Sequence, residues 1–566
     1  MTTPTSSPAT EDVVHWPADL AARYRTEGYW QGRSLGSYVA DHVAAHPDRE
    51  ALVDGDTRLS YRQLWDRSAA LAQYLLDLSI TPGNRILVQL PNCWEFVALT
   101  LACFRIGVIP VMALPAHRRH ELTHLAALSE SVALVVPDCD RDTDLREVAQ
   151  QVAADVPTIR SVIVHGDFTS ALGEAAVPEH SLASGLATTA RFASSEYEPS
   201  GSDIACFLLS GGTTGLPKLI LRTHDDYAYN IRACCEVSRF DADTVYLGTL
   251  PSSHNFPLAC PGILGALFVG GRTVMLSSPA PERALRTIDA EAVTVAAAVP
   301  AVAQAWIEHQ REHGTLRGNS FAVLQVGGSR MPDELAARVE PVLGARLQQV
   351  FGMAEGLINM TRLDDDSEVV VNTQGRPVSE ADEIAIVDEA GQPVPDGTPG
   401  ALLTRGPYTP RGYFRAPDHN VRAFTVDGWY ASGDIVIRRP DGNLVVAGRD
   451  KDMINRGGEK ISAEEVENFA YQLDGVDMAA AVAMPDPRLG ERVCLYLTLT
   501  PGHRVELDDV VAAMDAAGVA RYKRPERVEI VDAMPTTKVG KIDKKDLRER
   551  IRDRLAHESA SRGEQS

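Results

Sequence analysis

Apolar and polar positions follow two recurring rhythms along this chain. The runs Arg85-Ile86-Leu87-Val88-Gln89-Leu90, Gly107-Val108-Ile109-Pro110-Val111-Met112 and Ser131 to Pro137 are short and largely apolar, which predicts buried strands. Glu95 to Arg105, between the first two, predicts a helix. Strand, helix and strand in that order predict parallel βαβ units with right-handed crossovers, and so an α/β fold. Past about Ile384 the rhythm shortens. Turns at Asp396-Gly397-Thr398-Pro399-Gly400 and Pro440-Asp441-Gly442 predict a small antiparallel or β-barrel-like unit. A second α+β region follows Gly448. Gly166 to Glu179 and Gly185 to Ser202 read as surface loops, and Glu558 to Ser566 as a polar tail. No internal repeat is visible.

Composition sets limits on this picture. At 566 residues, 44% of them apolar, the chain exceeds one core and predicts at least two domains. A net charge of −22, from 55 basic and 77 acidic residues, argues against a nucleic-acid partner. The eight cysteines include no Cys-x-x-Cys pair, and Cys103 and Cys206 sit in apolar runs. That usage suits reduced thiols of a cytoplasmic protein rather than disulfides or a zinc site. Met1 to Thr10 is polar and unlike a signal peptide, and no apolar run nears the ~20 residues that span a bilayer, so no membrane partner is expected.

One segment carries candidate chemistry by itself. Ser210-Gly211-Gly212-Thr213-Thr214-Gly215-Leu216-Pro217-Lys218 packs three glycines, three hydroxyls and a lysine into nine residues. Glycines let backbone N–H groups approach an anion, and the hydroxyls and ammonium add donors, so the loop suits a polyphosphate. It is not a Walker loop, because Leu216 and Pro217 separate Gly215 from Lys218. The apolar run Ile204 to Leu209 before it predicts a strand, which places the loop at a strand's carboxyl end, where α/β proteins bind ligands.

The loop resembles the phosphate loop of the adenylate-forming superfamily, and further segments resemble that superfamily's motifs in order. Phe351-Gly352-Met353-Ala354-Glu355 is similar to its Mg-ATP segment, and Trp429-Tyr430-Ala431-Ser432-Gly433-Asp434 to its ribose segment. Gly448-Arg449-Asp450-Lys451-Asp452 is similar to its hinge, and Asn455 to Ile461 to its thioester-forming loop. Pro535-Thr536-Thr537-Lys538-Val539-Gly540-Lys541-Ile542 resembles its terminal lysine motif. The likeness runs from about Trp16 to about Leu555.

The resemblance implies a large N-terminal domain, residues 1–450, of parallel-rich sheets, and a small mobile C-terminal α+β domain, residues 451–566, pivoting at Lys451. A carboxylate would attack the α-phosphate of ATP, and a thiol would then take the acyl group. Lys541 would bridge carboxylate and phosphate as a point charge. Glu355 would hold Mg²⁺, a hard cation that prefers oxygen. Asp434 and Arg449 would bind ribose. Gly327 and Gly328, after the strand-like Val323 to Val326, would flank adenine, and Val350, Phe351, Gly352, Met353 and Ala354 would complete the nucleotide site. Gly457, Gly458 and Lys460 would line the path of the pantetheine arm.

The likeness narrows further. Leu221-Arg222-Thr223-His224-Asp225-Asp226-Tyr227, His254-Asn255-Phe256-Pro257-Leu258 and Gln348 to Gly356 resemble the aryl-acid adenylating enzymes of siderophore pathways. Asn255 would pair with a phenol hydroxyl ortho to the carboxylate, with His254 and Phe256 as flat walls and His254 counted among the catalytic groups. Relatives that take 2,3-dihydroxybenzoate tend to carry Ser at Cys260. A thiol is a weak donor, and Ile358 is bulkier than the usual Val, so the pair favours salicylate. Leu221 and Met360 depart from the pattern and leave a substituted salicylate or heteroaryl acid open. An aryl-CoA synthetase is the other alternative. No carrier-sized segment follows Lys541, so the expected acceptor is a phosphopantetheinylated aryl carrier protein in trans. Arg521-Tyr522-Lys523-Arg524, a basic cluster, is either its docking point or a solvated turn.

Overall fold

The computed structural model describes residues 12–141, 143–166, 175–191, 196–210, 217–449, 452–456, 459–486, 489–516, 523–537 and 541–563. The predicted strands form at Arg85–Val88, Ile109–Met112, Ala133–Pro137, Ile204–Leu209 and Val323–Gly327, and the predicted helix at Trp94–Ile106. The first four strands belong to a seven-stranded sheet in the order Leu219–Thr223, Ile204–Leu209, Ile109–Met112, Arg85–Val88, Ala133–Pro137, Ser161–His165, Glu179–Ser181. The last belongs to a nine-stranded sheet in the order Arg376–Pro377, Gly356–Met360, Arg346–Met353, Val323–Gly327, Val295–Ala298, Val245–Gly248, Arg272–Met275, Glu50–Asp54, Thr57–Ser60. Both sheets are parallel in their interiors. The nine-stranded sheet turns antiparallel at both ends, as where Gly356–Met360 meets Arg346–Met353. The seven-stranded sheet does so at one end, where Leu219–Thr223 meets Ile204–Leu209, while its other edge strand Glu179–Ser181 is parallel.

Side-chain alternation explains the layering. Ile86 and Val88 point into the buried layer between the two sheets, whereas Leu87 points to the outer face of its own sheet. Tyr246 and Leu247 divide in the same way in the other sheet. Helices Leu35–Ala45, Tyr61–Asp77, Trp94–Ile106 and His224–Val237 contribute to the inner layer. Trp94–Ile106 is buried on every side from Phe96 onward, which is why its sequence is apolar beyond one stripe.

The unit after Ile384 is antiparallel, in the order Glu383–Val387, Pro399–Arg405, Tyr430–Arg438, Leu444–Arg449. Its first and last strands do not pair with each other among the described residues, so the β-barrel-like closure gives way to an open sheet. The α+β region that follows forms the small C-terminal domain. It holds the strands Ile454–Arg456, Glu459–Ile461, Val476–Asp486, Gly490–Leu499 and Arg527–Ile530, with helices Ala463–Tyr471, Leu507–Ala516 and Lys544–Gly563. Its apolar clusters are its own.

Three expectations need correction. Glu558 to Ser566 is not simply a tail, because helix Lys544–Gly563 runs through its start and Glu558 pairs with Arg527 at 2.6 Å. The two loop readings overrun regular structure at their ends: Glu179 opens the strand Glu179–Ser181, and Gly185 and Leu186 close the helix Leu182–Leu186, where Gly185 packs against the Tyr74 ring. In the described half of the basic cluster the charges are already paired. Lys523 is spent on both oxygens of Glu465 at 2.8 Å and Arg524 pairs with Asp515, while Arg521 and Tyr522 lie outside the described residues.

Seven of the eight cysteines are buried and only Cys139 is exposed. Sequence spacing did not reveal that Cys93 groups with Glu95 and His165, their ligand atoms all within 4.8 Å. Burial and the Glu95 carboxylate push the Cys93 thiol well up, which keeps its proton.

Candidate active site

The site is built where the strand ends of the nine-stranded sheet meet the Asn255–Ala259 helix and the C-terminal domain. Gly327 ends the strand Val323–Gly327, and Gly328 follows with φ of 88°. A methyl on Gly327 would sit 2.9 Å from the Val350 carbonyl and 3.1 Å from the Phe256 ring. A methyl on Gly328 would sit 3.6 Å from Lys541 Cε. The close approach calls for glycine at 327, and the positive φ favours it at 328. Phe256, Gly327, Gly328, Val350 and Lys541 therefore meet at one place, although Lys541 comes from the far end of the chain. The Lys541 N–H donates to Thr537 Oγ1 at 3.2 Å, and its neighbours Lys538 to Gly540 lie outside the described residues.

His254 caps the helix Asn255–Ala259, its Nδ1 accepting from the Phe256 N–H at 3.2 Å. The ring proton therefore sits on Nε2. Burial, aided by the Lys541 ammonium, pushes the imidazole down from 6.5 to about 4, so it is neutral at neutral pH. Asn255 is 7% exposed and Cys260 3%. Phe256, Cys260, Val350, Ile358 and Met360 share one apolar cluster with Tyr227. Met360 is fully buried, and its sulfur accepts from Ser238 Oγ at 3.4 Å. Leu221 packs on the opposite face of its sheet, in the cluster that holds Phe207 and Phe414.

Glu355 follows Arg346–Met353, the strand that holds Val350, Phe351, Gly352 and Met353. The Ala354 carbonyl accepts from Arg222 at 3.2 Å. Glu355 is 6% exposed, and Oε1 accepts from the Tyr413 hydroxyl at 2.7 Å. Burial first, and the Glu355 carboxylate second, push the Tyr413 phenol up, so it remains a donor. The Lys218 ammonium lies 5.6 Å from the Tyr413 ring centroid. Ser210 and Lys218 close the phosphate loop at its base: the Ser210 N–H donates to the Lys218 carbonyl and the Lys218 N–H to Ser210 Oγ, both at 3.0 Å. Gly211, Gly212, Thr213, Thr214 and Gly215 lie outside the described residues. The loop joins two antiparallel strands rather than a strand and a helix. Asp434 is 4% exposed and is the register partner of Arg449 in the antiparallel sheet. Lys451, Gly457 and Gly458 lie outside the described residues, and Lys460 is known only as backbone in the strand Glu459–Ile461.

Sequence reasoning missed Tyr413, whose run Gly412-Tyr413-Phe414 carries no signal beyond a turn, and Tyr408. The Tyr408 hydroxyl accepts from the Ile358 N–H at 3.2 Å and donates to Asp382, so it backs the Ile358 wall. Burial pushes the Asp382 carboxyl from 3.8 up to about 8. Between those values the folded protein binds a proton that the unfolded chain releases, so stability falls as pH rises across that window. Asp382→Asn should flatten this slope, read as a smaller drop in melting temperature between about pH 5 and 8 than in the wild type. Parallel slopes for the two proteins would contradict it.

No helix among the described residues is long and apolar enough to cross a membrane. A family profile described as AMP-binding enzyme matches residues 39–414, and one described as AMP-binding enzyme C-terminal domain matches residues 465–541. The chain is 56% identical to a Streptomyces protein named salicylyl-CoA synthase / salicylate adenylyltransferase, over 96% of this chain and 98% of that one. It is 46% identical to a Mycobacterium tuberculosis protein named salicyl-AMP ligase / salicyl-S-ArCP synthetase, over 94% of this chain and 93% of the other. The apo structure of MbtA from Mycobacterium smegmatis superposes with a TM-score of 0.72 at 43% identity, covering 95% and 98% of the two chains.

Proposed function

The chain belongs to the AMP-binding enzyme family, and on that premise we propose that it activates salicylate with ATP and passes the aryl group to the phosphopantetheine thiol of an aryl carrier protein in trans. The observation that carries this reading is the meeting of Lys541, at Gly328, with the His254–Cys260 segment, whose Phe256 packs at Gly327. A cation stands beside a flat, largely apolar wall that offers one amide. That is the chemistry an aromatic carboxylate needs in order to approach a phosphate.

A carboxylate oxygen bonds to the α-phosphorus and the bond to pyrophosphate breaks. A thiolate then bonds to the carbonyl carbon and AMP leaves. Lys541 offsets the charge of the two meeting anions, and the neutral His254 leaves that cation as the positive charge beside them. Gly327 and Gly328 give adenine a flat backbone, Asp434 accepts from the ribose hydroxyls, and Arg449 donates to a ribose oxygen. Lys218 and the loop from Ser210 cradle the outgoing phosphates. Glu355 fits Mg²⁺ because it is a buried carboxylate already oriented by Tyr413; the ion, when bound, supplies charge neutralisation on the phosphates. We assign residues 1–450 to the adenylating domain and 451–566 to the domain that carries Lys541, with Lys451 as pivot. The protein works in the cytoplasm, where ATP is at hand.

ATP–pyrophosphate exchange with salicylate, 2,3-dihydroxybenzoate and benzoate tests the reading. Salicylate should lead, and an enzyme that ignores all three overturns it. Cys260 accepts a hydrogen bond from Asn255 Nδ2 at 3.4 Å, so a change there acts directly beside the amide. Cys260→Ser should improve dihydroxybenzoate relative to salicylate by about fivefold, the worth of roughly 1 kcal/mol for one neutral hydrogen bond. An unmoved ratio would remove Cys260 from the specificity set. The name of the Streptomyces relative favours coenzyme A as a second possible acceptor. Thioester formation assayed with coenzyme A and with a loaded carrier decides between them.

A further inference from the structure

We propose that Tyr227 is a positioning residue that fixes the Asn255 carboxamide with its NH₂ group toward the aryl acid, so that the site selects acids whose ortho substituent accepts a hydrogen bond. The inference rests on the aryl-acid reading above and extends it to the direction of the hydrogen bond.

Tyr227 is fully buried in the first turn of helix His224–Val237. Its backbone is set by a capping box, in which Thr223 Oγ1 accepts from the Asp226 N–H at 3.2 Å and the Thr223 N–H donates to Asp226 Oδ2 at 2.6 Å. Its ring is held by Arg222, whose guanidinium lies 4.5 Å from the ring centroid and pairs with Asp226 at 2.6 Å. The Tyr227 hydroxyl donates to Asn255 Oδ1 at 2.8 Å. Asn255 Nδ2 donates to Cys260 Sγ at 3.4 Å, and the thiol donates to the Asn255 backbone carbonyl at 3.5 Å.

Every proton in this circuit runs the same way. Turning the amide over would set NH₂ against the phenol oxygen. The phenol proton would then lose its acceptor, since no other acceptor meets it among the described residues, and a buried donor left unpaired is costly. Tyr227 therefore decides which end of Asn255 points elsewhere. Nδ2 carries two hydrogens. Cys260 takes one, and among the described residues nothing accepts the second. That second N–H belongs to a side chain flanked by His254 and by Phe256, the residues that meet Lys541 and Gly327.

A donor selects an acceptor. In salicylate the ortho hydroxyl gives its proton to the adjacent carboxylate and turns a lone pair outward, which suits Asn255. In anthranilate the nitrogen lone pair is drawn into the ring and the outward group is N–H, so two donors would face each other. The site thus takes ortho-hydroxy or ortho-alkoxy aryl acids and refuses ortho-amino acids of the same shape.

Pyrophosphate exchange with salicylate, anthranilate and benzoate, on wild type and Tyr227→Phe, tests this. Wild type should use anthranilate no better than benzoate and salicylate at least about tenfold better than both. Tyr227→Phe frees the amide to turn, so the salicylate-to-anthranilate ratio of kcat/KM should fall about tenfold, mainly through the KM for salicylate, which should suffer more than benzoate. An equal loss for all three acids would mark Tyr227 as merely structural and overturn the proposal, as would an unmoved ratio. If the variant does not fold, the wild-type series decides alone: anthranilate as good as salicylate overturns the proposal, and anthranilate at the benzoate level supports it. A wild type that prefers salicylate while the variant's ratio stays fixed defeats this inference only. A wild type that uses no aryl acid defeats the functional reading and this inference with it.

Discussion

Lys541→Ala should cut the salicylate-dependent exchange of pyrophosphate by about 10²–10³-fold, the usual effect of removing one preorganised charge from a reacting centre. The attacking carboxylate and the α-phosphate are both anions, and the Lys541 ammonium stands beside His254 and Gly328, where it can face both. Burial has already neutralised His254, so it cannot replace the missing charge. Lys541 is not part of the apolar clusters of its domain, so melting temperature should change little. Transfer of a supplied aryl-adenylate to the acceptor thiol should survive much better, because no second anion approaches in that step. Equal loss of both steps would refute this division of labour.

Glu355→Gln is expected to lower the same exchange by roughly 10²-fold and to raise the Mg²⁺ concentration needed for half-maximal rate. The substitution keeps the shape and can still accept from the Tyr413 hydroxyl, so folding should be spared. What disappears is the negative charge of a buried carboxylate held by Tyr413, whose ring centroid the Lys218 ammonium approaches at 5.6 Å. A variant with normal Mg²⁺ dependence would show that Glu355 only anchors Tyr413. Tyr413→Phe distinguishes the two roles, since it removes the anchor and leaves the charge.

The interior strands were legible in the sequence because a parallel strand covered on both faces is apolar almost without break, as in Ile204–Leu209 and Ala133–Pro137. Edges were less legible. Leu219–Thr223 lies directly after the phosphate loop and returns antiparallel, a direction that no residue pattern announces. Charged segments were misread for a related reason: Lys523, Arg524 and Glu558 look solvated until their partners Glu465, Asp515 and Arg527 are brought to them by the fold.

By itself the sequence determined the α/β architecture, the chemical type of the phosphate loop and the side chains available for an adenylation, because strand periodicity and functional groups are local properties. Only the tertiary structure decided that Lys541 faces Gly328, that Tyr413 holds Glu355, and that Tyr227 turns the Asn255 amide. Each of these pairs residues far apart in the chain. Which hydrogen meets which lone pair there depends on sheet order and helix caps, which are fixed only once the separated segments pack together.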